Sequence, residues 1–140
     1  MSWIVYASLS AVFAALTAIL AKIGVKEVNS NLATAIRTVV IVVFAWGIVF
    51  GRGLQKDIQH ISRTSLIFLI LSGFATGLSW LFYFRALQVG EASKVAPIDK
   101  FSLVLTIIFA ALILKEKVTI PIVFGITLIT IGTYIVAFIK

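Results

Sequence analysis

Charged side chains placed inside apolar runs are where this sequence could do chemistry. Four cations lie within or at the edges of such runs: Lys22, Arg37, Arg85 and Lys100. One acid, Asp99, stands beside the last of them. An ionised group in hydrocarbon is costly, so it either faces protein and water along a pathway or snorkels to the interface. Arg37 is followed by an uncharged stretch up to Arg52, which favours an inward role. Lys22 and Arg85 lie nearer the ends of their runs, where snorkelling is the competing reading. Hydroxyls and aromatics line up with these cations. Ser72, Thr76, Ser79 and Tyr83 recur at spacings of four, three and four, which puts them on one helix face. Trp80 lies among them, and Trp80 and Tyr83 are placed to stack on a ligand. Ser102 and Thr106 follow Asp99 at three and seven residues. A mostly positive set of this kind favours an anionic or zwitterionic solute over a bare cation.

Other chemistries are poorly supplied. The chain has no cysteine and one histidine, His60, in a polar loop. Thiolate nucleophiles, disulfides and Cys-based metal sites are therefore excluded. No phosphate-cradling glycine loop, metal-ligand set or nucleophile–base pair is visible, so neither an enzyme nor a metal or other cofactor is expected.

The elements that must carry these residues are membrane helices. Of 140 residues, 61% are hydrophobic and 12% charged, against about 45–50% and 25% in soluble domains. The net charge of +7 is spread between apolar blocks and forms no basic arm, so nucleic acid is not an expected partner. A spanning helix needs about 20 mostly apolar residues. Five blocks qualify, at about 3–25, 32–50, 64–88, 93–114 and 118–139. Continuously apolar stretches such as Ile-Val-Val-Phe lack the period-two alternation of a barrel strand. The first block lacks a basic leader and is long for a cleaved signal, so it reads as a span. The fold class expected is all-α and integral to the membrane, a five-helix bundle in a single domain over 1–140, with lipid as its surroundings.

Each span has a small or polar face. In the first, Ala11, Ala15, Ala18 and Lys22 share a stripe, read as helix packing for the alanines. In the third, Gly73 and Gly77 form a GxxxG pattern, a weak sign of close helix contact. Gly125 and Gly132 give the fifth span a small face of the same kind. The fourth span opens Glu91-Ala-Ser-Lys-Val-Ala-Pro97-Ile-Asp99-Lys100. Pro97 disturbs the hydrogen-bond ladder if the helix begins at Ser93, and fits the first turn if it begins later. Either start leaves free N–H groups near Asp99 and Lys100. Asp99 then either caps a helix or serves a transport site.

Flanking charge gives a weak orientation signal. Five spans put the termini on opposite sides. Arg52, Lys56, Arg63, Lys115 and Lys117 fall on the N-terminal side. Lys22, Lys26, Lys94 and Lys140 fall on the other, joined by the deeper Arg37, Arg85 and Lys100. Lys and Arg favour the cytoplasm, and this near balance leaves two readings open: a few residues set one orientation, or copies insert both ways. Alternating access is commonly built from inverted repeats. Five spans cannot hold such a pair, whereas an antiparallel homodimer would.

Three stretches resemble a known family. Tyr83-Phe-Arg-Ala-Leu87 closes one span, Gly90-Glu-Ala-Ser93 forms the turn after it, and Glu116 closes the next. Together with Arg37 in the second span, this pattern resembles the EamA-domain branch of the drug/metabolite transporter superfamily, over essentially the whole chain. The resemblance implies one five-helix unit, half of a ten-helix inverted-repeat transporter in the cell (cytoplasmic or inner) membrane. It implies movement of amino acids, metabolites, nucleobases or drugs, mostly outward. The small multidrug resistance relatives use a first-helix glutamate, absent here, so their cation-for-proton exchange is not implied.

The expected function is transport of small metabolites, amino-acid-like, anionic, zwitterionic or drug-like, by an antiparallel homodimer. Its cavity residues would be Lys22, Arg37, Ser79, Trp80, Tyr83, Asp99, Lys100, Ser102 and Thr106. The alternative is a non-transporting membrane partner or one half of a heterodimer.

Overall fold

The structure, a computed structural model, describes residues 2–138; most of them are helical, joined by short turns, and there is no strand among them. The element order is α1 (Trp3–Gly24), α2 (Ser30–Gly51), a 3-10 helix (Leu54–His60), α3 (Arg63–Val89), α4 (Ala92–Asp99), α5 (Ser102–Ile113) and α6 (Ile120–Phe138). Five segments are long and apolar enough to cross a bilayer: α1, α2, α3, the combined stretch Ala92–Ile113, and α6. These match the five expected spans to within a few residues. Ile139, the expected end of the last span, and Lys140 lie outside the described residues.

Local chemistry sets the helix ends. Asn29 caps α2 by accepting the Asn31 N–H at 2.9 Å. The Ser62 hydroxyl oxygen accepts the Ser65 N–H at 3.1 Å and caps α3 in the same way. Beyond α2 the chain turns at Gly53, whose φ of 69° lies in the left-handed region that suits glycine. Its N–H donates to Phe50 O at 3.1 Å. After α5 the same region is occupied by Lys115, at φ 56°. There the Glu116 N–H reaches back to Ala110 O at 3.1 Å, so Glu116 helps end the helix through its backbone.

The fourth span, expected over 93–114, takes the first of the two courses open to Pro97. Its helix starts before Pro97, which cannot donate to the Ser93 carbonyl, and it tightens just beyond. The Lys100 N–H divides between Ala96 O and Pro97 O at 3.3 and 3.0 Å. Phe101, Leu103 and Val104 then donate to the carbonyls three residues back at 2.9–3.0 Å, the 3-10 pattern. Lys100 and Phe101 keep right-handed helical dihedrals. The span therefore continues through a tight turn, and the open helix start expected near Asp99 is closed by these bonds. Asp99 ends α4 and does not cap α5, whose N-cap residue is Phe101.

The chain forms two compact units. One runs from Leu20 to Gln88 and holds the end of α1, α2, the 3-10 helix and α3. Its core is small: Ala21, Val25, Phe84 and Leu87, with the polar Ser30 and Thr34. The Thr34 hydroxyl donates to Ser30 O at 2.9 Å, so it carries no unmet donor. The other unit is built from α4, α5 and α6 with the first part of α1. There α6 packs on α4 and α5, and the Thr133 hydroxyl donates to Pro97 O at 3.4 Å. Most large apolar side chains in both units are exposed. In a bilayer these faces meet lipid, which is as apolar as they are.

Candidate functional site

Arg37 is the centre of the best-formed constellation, in the unit spanning Leu20–Gln88. It lies seven residues past Ser30, about 10 Å along α2 at 1.5 Å per residue. At that depth a guanidinium in lipid is expensive. The Arg37 guanidinium carbon sits 4.2 Å from the centroid of the Trp80 ring and 5.2 Å from that of Phe84. Both distances fall inside the cation–π range of about 6 Å. Trp80 and Phe84 are four residues apart on α3 and so share the face that meets α2. Tyr83, half-buried, interacts electrostatically with Arg37. The guanidinium carries five N–H donors in a planar fork that fits a carboxylate. No acidic side chain pairs with Arg37 among the described residues, where the ion pairs are Lys94–Glu91 and Lys100–Asp99.

One turn further along α3, a polar tie holds its end. The Lys22 ammonium donates to Leu87 O at 2.6 Å. It thereby joins the end of α1 to the C-terminal carbonyls of α3, the negative end of that helix. The Gln88 amide donates to Val25 O at 3.1 Å and to Val28 O at 2.9 Å. Its oxygen accepts from Arg85 at 2.8 Å. Leu87 and Val25, 0% and 1% exposed, fill the space between these bonds. The end of α3 beyond the aromatic partners of Arg37 is therefore both bonded and packed.

The expected site residues fall into two sets. Arg37, Trp80 and Tyr83 come together with buried Phe84, while Lys22, in the same unit, is tied to the end of α3. Ser79 is exposed, as are Ser72 and Thr76; Thr76 donates to Ser72 O at 2.9 Å. Asp99, Lys100, Ser102 and Thr106 lie in the α4–α6 unit, all exposed. Asp99 and Lys100 pair loosely at 3.9 Å, and Thr106 donates to Ser102 O at 2.8 Å. The small faces keep open space: Gly73, Gly77, Gly125 and Gly132 would each accept a Cβ with nothing within 4 Å, and Ala11 and Ala15 are exposed.

Two contributors escape a reading of the sequence. Phe84 is one apolar aromatic in an apolar run and carries no signal. Gln88 stands at a span end, where a polar residue is ordinary. Its one available clue is the four-residue spacing from Phe84, which puts it on the same face.

Comparison with known proteins gives two kinds of match. The model of the EamA-like transporter family matches residues 1–138. An uncharacterized transporter in the cobO 3′ region of a Sinorhizobium species is 48% identical over 136 residues, covering 97% of this chain and 96% of that protein. An uncharacterized protein of Methanocaldococcus jannaschii is 34% identical over 77 residues, covering 55% and 56% of the two chains. No solved structure matches.

Proposed function

The chain belongs to the EamA-like transporter family and is a multi-pass membrane transporter, and from that premise we propose that it carries small anionic or zwitterionic solutes. Amino-acid-like compounds, and drug-like compounds with a carboxylate, are the class that fits. The observation that carries this reading is the Arg37 guanidinium carbon over the Trp80 ring at 4.2 Å and over that of Phe84 at 5.2 Å. The guanidinium's fork of donors fits a carboxylate, and no acidic side chain among the described residues pairs with it. Tyr83 and Ser79 would contact the polar part of the solute, and Trp80 its apolar part. Lys22 adds positive potential while clamping the end of α3. In the other unit, Asp99, Lys100, Ser102 and Thr106 would supply a polar stripe of their own near the tightened turn of the fourth span.

Alternating access would come from two copies of this single unit inserted in opposite orientations in the cell membrane. The near balance of flanking Lys and Arg supports that arrangement. The small-residue stripes at Ala11 and Ala15, Gly73 and Gly77, and Gly125 and Gly132, exposed or half-buried, are suited to close packing between helices of the two copies.

The test is uptake into proteoliposomes of labelled amino acids, dicarboxylates and a quaternary ammonium. The wild type is expected to take up at least one carboxylate and not the ammonium. R37A and Y83A, verified for folding and insertion, are expected to lower that uptake about tenfold or more, the scale of a lost charge-assisted contact. Unchanged uptake in both variants would remove the assignment of the site.

A further inference from the structure

The connection between α2 and α3 carries chemistry that solute binding does not use. Over residues 52–63 it holds the cations Arg52, Lys56 and Arg63, together with His60 and a single acid, Asp57. None of these cations is in an ion pair among the described residues. Interleaved with them are Leu54, Ile58 and Ile61, left 44%, 48% and 42% exposed.

Flanking geometry fixes where the segment lies. Gly51 ends one membrane-spanning helix and Arg63 begins the next, so the stretch between them must sit at a bilayer surface. The chain turns back at Gly53, and the 3-10 helix packs against α2, which keeps it near the interface. Exposed apolar side chains there enter the boundary between headgroups and acyl chains, while neighbouring cations meet phosphate. Trp46 and Phe50, with ring centroids 5.5 Å apart, stand at the same end of α2, where aromatic rings favour the headgroup level.

We propose that residues 52–63 form a docking surface for anionic phospholipid, with Arg52, Lys56 and Arg63 on the headgroups and Leu54, Ile58 and Ile61 in the boundary beneath. Charge complementarity selects this occupant: three basic side chains against one acid, on a segment that the spans hold against the membrane. The inference does not depend on which solute is transported.

Trp46 is a local reporter, about 8 Å below Gly51 along the helix. In a W3F/W80F background it is the remaining tryptophan. Its quenching by brominated phosphatidylglycerol is compared with quenching by brominated phosphatidylcholine in mixed vesicles. The intact loop is expected to prefer the anionic lipid about two- to fivefold, as a basic surface segment does. The ratio should fall to near one in R52Q/K56Q/R63Q. It should also fall in the intact loop at 1 M salt, where the screening length is about 3 Å. A ratio near one for the intact loop overturns the proposal, and so does a ratio that survives the triple substitution. If the triple variant fails to fold, a preference indifferent to salt overturns it equally.

Discussion

Removing the ring beneath Arg37 should cost a definite and separable amount of free energy. The guanidinium carbon is 4.2 Å from the Trp80 centroid, well within cation–π range. Such contacts contribute about 0.5–1 kcal/mol when exposed and about 2 kcal/mol when desolvated. Arg37 and Trp80 are both half-buried, so the coupling should be about 1 kcal/mol. Phe84 is buried but stands further off, at 5.2 Å, and adds less. The assay is a double-mutant cycle of R37M, W80L and the pair, read by reversible unfolding in bicelles as denaturing detergent is added. The two single changes should sum to more than the double by about 1 kcal/mol. R37K should recover less than half of the coupling, because an ammonium keeps the charge but lacks the planar face. Additivity within about 0.3 kcal/mol would show that the two residues do not support each other.

The polar tie at the end of α3 makes a second claim. K22M should lower stability by about 1.5–3 kcal/mol, the range for a hydrogen bond to a charged group, with K22R less affected in the same unfolding assay. Q88L loses two bonds to the turn after α1 and should cost about 1–3 kcal/mol; amide exchange at Val28–Ser30 should rise with it. G53A places a Cβ in a left-handed turn where nothing crowds it, so a cost of about 1 kcal/mol would be torsional, and G53N should recover part of it. P97A restores a donor for the Ser93 carbonyl and should relax the tightened turn at Lys100–Phe101. Stability should hold or rise by up to about 1 kcal/mol while uptake falls, and a variant with unchanged uptake would separate that turn from transport.

The spans were legible because length and apolarity are all a bilayer asks of a helix. Arg37 was legible for the same reason, since a charge in an apolar run stands out. Partners were harder to read. Phe84 lies within cation–π range of Arg37, yet its type differs little from the apolar residues around it. Lys22 and Gln88 stand at span ends, where solvent is the ordinary expectation, and only the backbone shows them bonded to Leu87, Val25 and Val28 carbonyls. Pro97 announced a disturbed ladder, but the tightening falls three residues later, where the Lys100 and Phe101 amides choose nearer carbonyls. The small faces at Gly73 and Gly125 could be seen in sequence, but their occupants could not. Lipid and a helix of a second copy offer nearly the same apolar surroundings, so hydrophobicity does not tell them apart.

That two copies inserted in opposite directions build the transporter is the central claim, and orientation tests it most directly. The C-terminus is fused in parallel to two reporters, one active only in the cytoplasm and one only on the far side of the membrane. Comparable signal from both, normalised to expression, is the predicted result. Signal from one reporter alone would contradict the antiparallel homodimer and point to a separate, oppositely oriented partner.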